Sequence, residues 1–401
     1  MEEITPFAIS RLPRIEFGAG VFGKLPGLIR CYGERVLLVT GERSLQDTDN
    51  WPWLLAELKE HGVSVSHCTV AGEPSPGLID MAVQQHAPED IRVVAGIGGG
   101  SALDAARAIA GLLRVGEPVL DYLEGVGPEK PYTGPAVPLI AVPTTAGTGS
   151  EATKNAVLSR QGRDGFKKSF RDDRLVAEYA VVDPELLASC PRDLIAANGM
   201  DALTQLLESY TSLRANPFTD ALALSGLRAV RHSLLAWYDH ADTDPEVTAA
   251  ARGQMAYASL LSGITLAQVG LGSVHGLASP LGALFPVPHG VVCGTLVAEA
   301  TAVNIQAMQQ RDRHNPALAR YARLAEVLCE QRLRDPELAW EMLVERLRAW
   351  TGHLHLPRLS EYGITEPDLK RIVARARGSS MQTNPLVLED VELATILQRR
   401  L

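Results

Sequence analysis

The feature that most limits the fold is a repeating alternation in the first half of the chain. Short β-branched or apolar runs, "RVLLVT" (35–40), "VSVSHCTV" (63–70), "IRVVAGIGGGS" (91–101) and "AVPLIAVPTT" (136–145), alternate with helix-like segments, "WPWLLAELKEHG" (51–62), "GLIDMAVQQH" (77–86) and "ALDAARAIAGLL" (102–113). Strands joined through helices pair in parallel, because a crossover returns the chain to the same end of the sheet. The first half therefore reads as a doubly wound α/β domain with a parallel sheet. After "YAVVDPELL" (179–187) strand-like runs give out. Helices are expected over 197–210, 219–237, 247–262, 317–331 and 336–350. The division is an α/β domain over residues 1–188 and an all-α domain over 189–401, with no internal repeat and no low-complexity segment.

Composition narrows the function classes. A chain of 401 residues suits two domains at about 150 residues each, and 46% hydrophobic residues supply a core for both. A net charge of −9 argues against a nucleic-acid partner. The five cysteines, Cys31, Cys68, Cys190, Cys293 and Cys329, form no CxxC pair and read as buried thiols in a reducing, cytoplasmic setting. The stretch "MEEITPFAIS" has no apolar leader core, so no signal peptide is expected. No apolar run approaches the ~20 residues of a membrane span, so no membrane partner is expected either.

Two glycine- and hydroxyl-rich turns follow expected strands. In "VAGIGGGSALDAARA" a strand runs into three glycines, a serine and a helix. Bare backbone N–H groups at a helix N-terminus favour a diphosphate. The pattern is not GxGxxG, and alone it also fits an ordinary strand–helix turn. The second, "PTTAGTGSEATKN" (143–155), places hydroxyls and glycines after the next strand, on the sheet edge where α/β folds bind ligands. Two such turns on successive strands make a nucleotide site the better reading.

A metal constellation lies further on. Asp201 sits in the helix-like "GMDALTQLLESY", with Gln205 one turn later on the same face. His275 and His289 flank "VHGLASPLGALFPVPHG", which fits a helix and a turn that bring both imidazoles together. One carboxylate and two histidines suit Zn²⁺ or Fe²⁺ with room for water or substrate. From spacing alone, structural histidines are the competing reading.

Together these segments resemble the iron-containing (group III) alcohol dehydrogenase family, related to glycerol dehydrogenase and dehydroquinate synthase. The resemblance rests on "IEFGAGVFGKL", "GIGGGSALDAARAIA", "PTTAGTGSEAT", "VVDPELL", "NGMDALTQLLESY" and "GSVHGLASPLGALFPVPHG", over roughly residues 10–300. It implies a dinucleotide-binding α/β domain, a helical metal and substrate domain, a metal in the cleft between them, and a homodimer or higher homo-oligomer. By position it implies Gly99, Gly100, Ser101 and Asp104 at the pyrophosphate. Thr144, Thr145 and Thr148 would line the cofactor, and Asn155 and Lys167 would reach its ribose or nicotinamide side. Asp201, His275 and His289 match three of four usual metal ligands, an aspartate and three histidines.

The departures are informative. The fourth ligand position holds Gln205, whose amide oxygen would be a weak neutral donor. The position of a further, proton-relaying histidine holds Ser279. Where NAD-preferring members carry an aspartate after the first of these strands, this chain has Gly41, with Arg43 close by. Loss of that carboxylate and gain of an arginine point to NADP(H). NAD remains the alternative if Arg43 is a solvated loop charge. The expected activity is hydride transfer between a nicotinamide and a small alcohol, aldehyde or ketone, with Fe²⁺ or Zn²⁺. Asp201, His275 and His289 would polarise the carbonyl, and Ser279 would help relay the proton. The alternatives are a metal-free reductase of the maleylacetate reductase type, a lyase or cyclase like dehydroquinate synthase, and a non-catalytic binding protein.

Overall fold

The structure is a computed structural model that describes residue 4 and residues 6–401; part of the N-terminal stretch read for a leader lies outside the described residues. Two compact units form. One is built from Ser10–Arg160 and Lys167–Cys190, the other chiefly from Pro191–Leu401 with Gln161–Phe166.

The first unit contains β1 (Arg14–Phe17), α1 (Leu25–Arg30), β2 (Arg35–Gly41), α2 (Asn50–Glu60), β3 (Ser64–Val70), α3 (Pro76–His86), β4 (Val93–Gly98), α4 (Gly100–Leu112), β5 (Leu139–Pro143), β6 (Asn155–Arg160), β7 (Phe166–Arg171) and β8 (Tyr179–Val182). Six strands form one parallel sheet in the order β1-β8-β5-β4-β2-β3, and β6 and β7 pair in a separate ribbon. The central strands β4 and β5 are buried along their whole length, which is why they read as continuous apolar runs. β3 lies at an edge and is largely exposed, so its sequence mixes polar and apolar residues. Gly96 in β4 lets α4 approach closely: a Cβ there would sit 2.6 Å from the Ala106 Cβ.

The helical unit contains α5 (Arg192–Thr211), α6 (Pro217–His240), α7 (Pro245–Val269), α8 (Ser273–Leu284), α9 (His289–Arg311), α10 (Pro316–Cys329), α11 (Pro336–His353), α12 (Glu366–Ala374) and α13 (Asp390–Gln398). Four of these helices start on an Asn-Pro or Asp-Pro pair. Asn216, Asp244, Asn315 and Asp335 each accept a backbone N–H of the first turn, and the following proline occupies the first helical position, where no N–H is needed. α5 packs against α6, α7 and α9, which buries it on nearly all sides.

One expectation is corrected. α9 is long and apolar enough to cross a bilayer, and α7 and α8 pass the same test together, bent by 98°. The apolar window of α9 is 89% buried inside the protein. Its apolarity follows from packing on all faces, as in the core helix of a large unit.

A buried ion network ties α4 to the strands beside it. Arg107 is fully buried. Its guanidinium donates to the Leu175 carbonyl at 3.1 Å, the Asn155 carbonyl at 2.8 Å, the Ser150 hydroxyl at 3.0 Å and the Asp104 carboxylate at 3.3 Å. Removing one partner of a buried pair strands the other. Arg107→Met is expected to lower unfolding stability by about 3–5 kcal/mol, with partial recovery when Asp104→Asn is added. Urea titration of the two variants checks this, and an unchanged midpoint in Arg107→Met would contradict it.

Candidate metal centre and nucleotide site

The nucleotide candidate follows from strand order. From β2 the chain moves to β3 on one side, then returns to place β4 on the other. In open parallel sheets ligands bind at the strand C-termini of such a reversal. Gly41 ends β2 and Gly98 ends β4 there, and a Cβ on Gly98 would lie 3.3 Å from the Gly41 nitrogen. α4 then begins behind Gly99 with no side chain capping its amides, which leaves Gly100 and Ser101 in an N-terminal turn suited to an anion. The second turn lies alongside. A Cβ on Gly99 would sit 3.4 Å from Thr145, and one on Gly100 would sit 2.9 Å from the Thr148 hydroxyl. The Thr144 hydroxyl is buried and has no hydrogen-bond partner among the described residues. Arg43 is exposed in the turn after β2.

Three residues expected at the cofactor have partners within the protein. Asp104 accepts from the Ser150 hydroxyl at 2.6 Å and the Val157 amide at 3.1 Å, besides Arg107. Both its oxygens thus serve the buried network, which gives Asp104 a role in holding the two turns together. Asn155 gives its backbone carbonyl to Arg107. The Lys167 ammonium is paired with the Glu73 carboxylate.

The metal candidate is assembled by three helices of the second unit. α5 carries Asp201, 1% exposed; α8 carries His275; His289 opens α9 directly behind Pro288. The expected helix and turn between the histidines is α8 with residues 285–288. The Asp201 Oδ1 is 3.3 Å from His275 Nε2 and 3.8 Å from His289 Nε2. The other carboxylate oxygen, Oδ2, is buried with no hydrogen-bond partner among the described residues. Imidazole nitrogens facing a buried, under-satisfied carboxylate fit a divalent cation.

Two residues near this cluster escaped the sequence reading. Glu208 lies on α5 and is 5% exposed. Its Oε2 meets His275 Nδ1 at 2.6 Å, while Oε1 accepts the Val274 amide at 2.7 Å. A proton held on Nδ1 leaves the Nε2 lone pair for a metal. The spacing 201, 205, 208 puts all three polar residues on one helix face, a signal present in the sequence. Cys293, fully buried one turn after His289 on α9, brings its Sγ within 3.6 Å of His275 Nε2 and 3.8 Å of His289 Nε2. Gln205 is beside the cluster with both ends of its amide engaged. Its Nε2 donates to Asp201 Oδ1 at 3.3 Å, and its Oε1 accepts the Ser262 hydroxyl at 2.7 Å. In this arrangement the amide nitrogen of Gln205 faces Asp201, because a carboxylate neighbour favours the donating end of the amide, and its oxygen faces Ser262. Ser279 stands one turn after His275 on α8, partly buried.

The electrostatics reflect crowding of unlike groups. Burial pushes the Asp201 carboxyl up, but His289 and His275 outweigh it and hold the group below its ordinary range. Burial lowers His275, yet Cys293, Glu208 and Asp201 together raise it well above its ordinary value. Glu151, in the second turn of the α/β unit, has its carboxyl pushed up to about 7 by burial, with Arg107 pulling the other way.

Two outcomes follow from this geometry. Glu208→Gln, which removes the charge that orients His275, is expected to weaken metal retention by about 10–100-fold in chelator competition. Glu151 has a folded value above its unfolded one, so the native state binds the extra proton. Its contribution is present at low pH and is lost as pH rises through about 7. The melting temperature of the wild type should therefore fall relative to Glu151→Gln between about pH 5 and about pH 8. Parallel melting profiles would rule this out.

Comparison with known proteins agrees with the geometry. A family model described as iron-containing alcohol dehydrogenase matches residues 13–184, and one described as the C-terminal part of the Fe-containing alcohol dehydrogenase family matches residues 195–401. Alcohol dehydrogenase 4 of Saccharomyces cerevisiae (strain YJM789) is 31% identical over 403 residues, covering 100% of this chain and 99% of that protein. The 1,3-propanediol dehydrogenase of Citrobacter freundii is 30% identical, covering 97% of each. The solved structure of an alcohol dehydrogenase from Oenococcus oeni is similar with a TM-score of 0.86 at 27% identity, covering 99% of this chain and 100% of that one. Both units, the glycine turns on the parallel sheet and the Asp–His–His cluster of the helical unit have their place in one group of proteins, and the chain belongs to the iron-containing alcohol dehydrogenase family, NAD(P)-dependent oxidoreductases that act on CH–OH groups.

Proposed function

We propose that this chain interconverts small aldehydes or ketones and their alcohols with NADP(H) as the preferred hydride carrier and a divalent metal, Fe²⁺ or Zn²⁺, held by Asp201, His275 and His289. The observation that carries the reading is the convergence of these three side chains, from three helices, on one buried point that includes an unpartnered carboxylate oxygen. This favours a metal enzyme over the metal-free reductase alternative. When bound, the nicotinamide supplies the hydride and the metal supplies Lewis acidity toward a substrate oxygen.

The chain's own residues do the rest. Gln205 and Glu208 hold Asp201 and His275 in fixed orientation from the same face of α5. Ser279 stands where the resemblance puts a proton-relaying histidine. A hydroxyl there passes a proton along but does not store one at neutral pH. In the α/β unit, the uncapped amides of α4 bind the pyrophosphate, and Gly41 leaves space for a 2′-phosphate that Arg43 pairs with. The free thiols support a reducing compartment such as the cytoplasm.

The test is turnover of a panel of short aldehydes by the metal-loaded protein with each reduced cofactor. NADPH should give the higher kcat/KM. Arg43→Ala should cost that preference about tenfold or more, the worth of one charge-assisted hydrogen bond, with little effect on NADH. An NADH preference that survives Arg43→Ala would overturn the NADP(H) reading.

A further inference from the structure

The metal reading leaves one donor of the buried cluster without a role. Asp201, His275, His289 and Cys293 each present a ligand atom, all within 4.8 Å of one another. Metal–nitrogen and metal–oxygen bonds of about 2.1 Å and metal–sulfur bonds of about 2.3 Å set tetrahedral edges of roughly 3.4 Å between light donors and roughly 3.6 Å to sulfur. The nitrogen–oxygen separations here are 3.3 and 3.8 Å, and the sulfur–nitrogen separations 3.6 and 3.8 Å. Cys293 is held there by α9, one helical turn from His289, so both donors point from the same face.

Two further observations bear on the fourth position. Gln205, at the place where the family resemblance expects a histidine, turns its amide nitrogen to Asp201 and gives its oxygen to Ser262. It leaves the cluster one donor short on the α5 side. The Asp201 Oδ2 remains buried with no hydrogen-bond partner among the described residues.

We propose that Cys293 supplies a thiolate as the fourth protein donor, so that the metal centre of this chain is a two-nitrogen, one-oxygen, one-sulfur set in which α9 replaces the donor lost from α5. The thiol gives up its proton to solvent as the metal binds. A soft sulfur donor biases the site toward Zn²⁺ over Fe²⁺, beyond the ordinary order of divalent affinities. With four protein donors in place, a substrate oxygen would need a further coordination position. Gln205 becomes a positioning residue that holds Asp201.

The proposal rests on the metal reading, and Co²⁺ separates the two. The full-length protein, freed of metal and loaded with Co²⁺ without air, should show a thiolate-to-cobalt charge-transfer band in the near ultraviolet together with visible d–d bands. Cys293→Ser should keep the visible bands and lose the charge-transfer band. In chelator competition it should hold Zn²⁺ at least tenfold less tightly, and its Zn²⁺-to-Fe²⁺ affinity ratio should fall. Visible bands without a charge-transfer band in the wild type would overturn the thiolate ligand and leave Asp201, His275 and His289 as the site. So would unchanged Zn²⁺ affinity in Cys293→Ser. A wild type that binds neither Co²⁺ nor Zn²⁺ would overturn the metal reading as well. The wild-type spectrum decides the matter even if Cys293→Ser folds poorly.

Discussion

Two carboxylates on one face of a single buried helix set the terms for the helical unit. Asp201 and Glu208 project from α5 at 1% and 5% exposure. Buried charge costs several kcal/mol per ion unless it is compensated. The compensation comes from elsewhere in the chain. His275 of α8 lies between the two carboxylates, bonded to one through each ring nitrogen. His289 and Cys293 of α9 close the remaining side. Together these four side chains could hold a metal ion, which would add positive charge beside the carboxylates.

The α/β unit solves a different problem with related means. A nucleotide pyrophosphate needs backbone donors at close range, so glycines stand where the strands at the reversal of strand order end. Glycine weakens a strand–helix turn, and this one is braced from below. Arg107 and Asp104, one turn apart on α4, reach Ser150 and the Asn155 carbonyl, which fixes the second turn against the first. The charge in this region faces inward and supports the turns, while uncapped amides and hydroxyls are left for a ligand.

Much of this was legible from local pattern. The strands β2 to β5 and their helices stand out because buried parallel strands are continuous apolar runs. The helices from α5 to α7, α10 and α11 stand out by periodicity, and several by an Asn-Pro or Asp-Pro start. β1 and β8, at four residues each, carry too little pattern to detect, and the β6–β7 ribbon alternates weakly because one of its strands is only partly buried. The apolar α9 was not foreseen as a helix. Its hydrophobicity is spread around the axis, so no helical stripe marks it.

The sequence by itself determined the order of elements, the two glycine turns, and three of the four clustered side chains, Asp201, His275 and His289. These rest on local spacing, on residue types whose chemistry is distinctive, and on a resemblance carried by those motifs. Tertiary structure alone decided the rest. Whether Gln205 shows oxygen or nitrogen to its neighbours depends on Ser262, 57 residues away. Which tautomer His275 adopts depends on Glu208, 67 residues away. What Asp104 bonds is decided by Ser150 and Val157, 46 and 53 residues away. Cys293 read as one more buried thiol until α8 and α9 brought it against two imidazoles. A hydrogen bond or a coordination edge is a matter of tenths of an ångström, and such distances between remote residues are set by helix packing, which local sequence pattern does not encode.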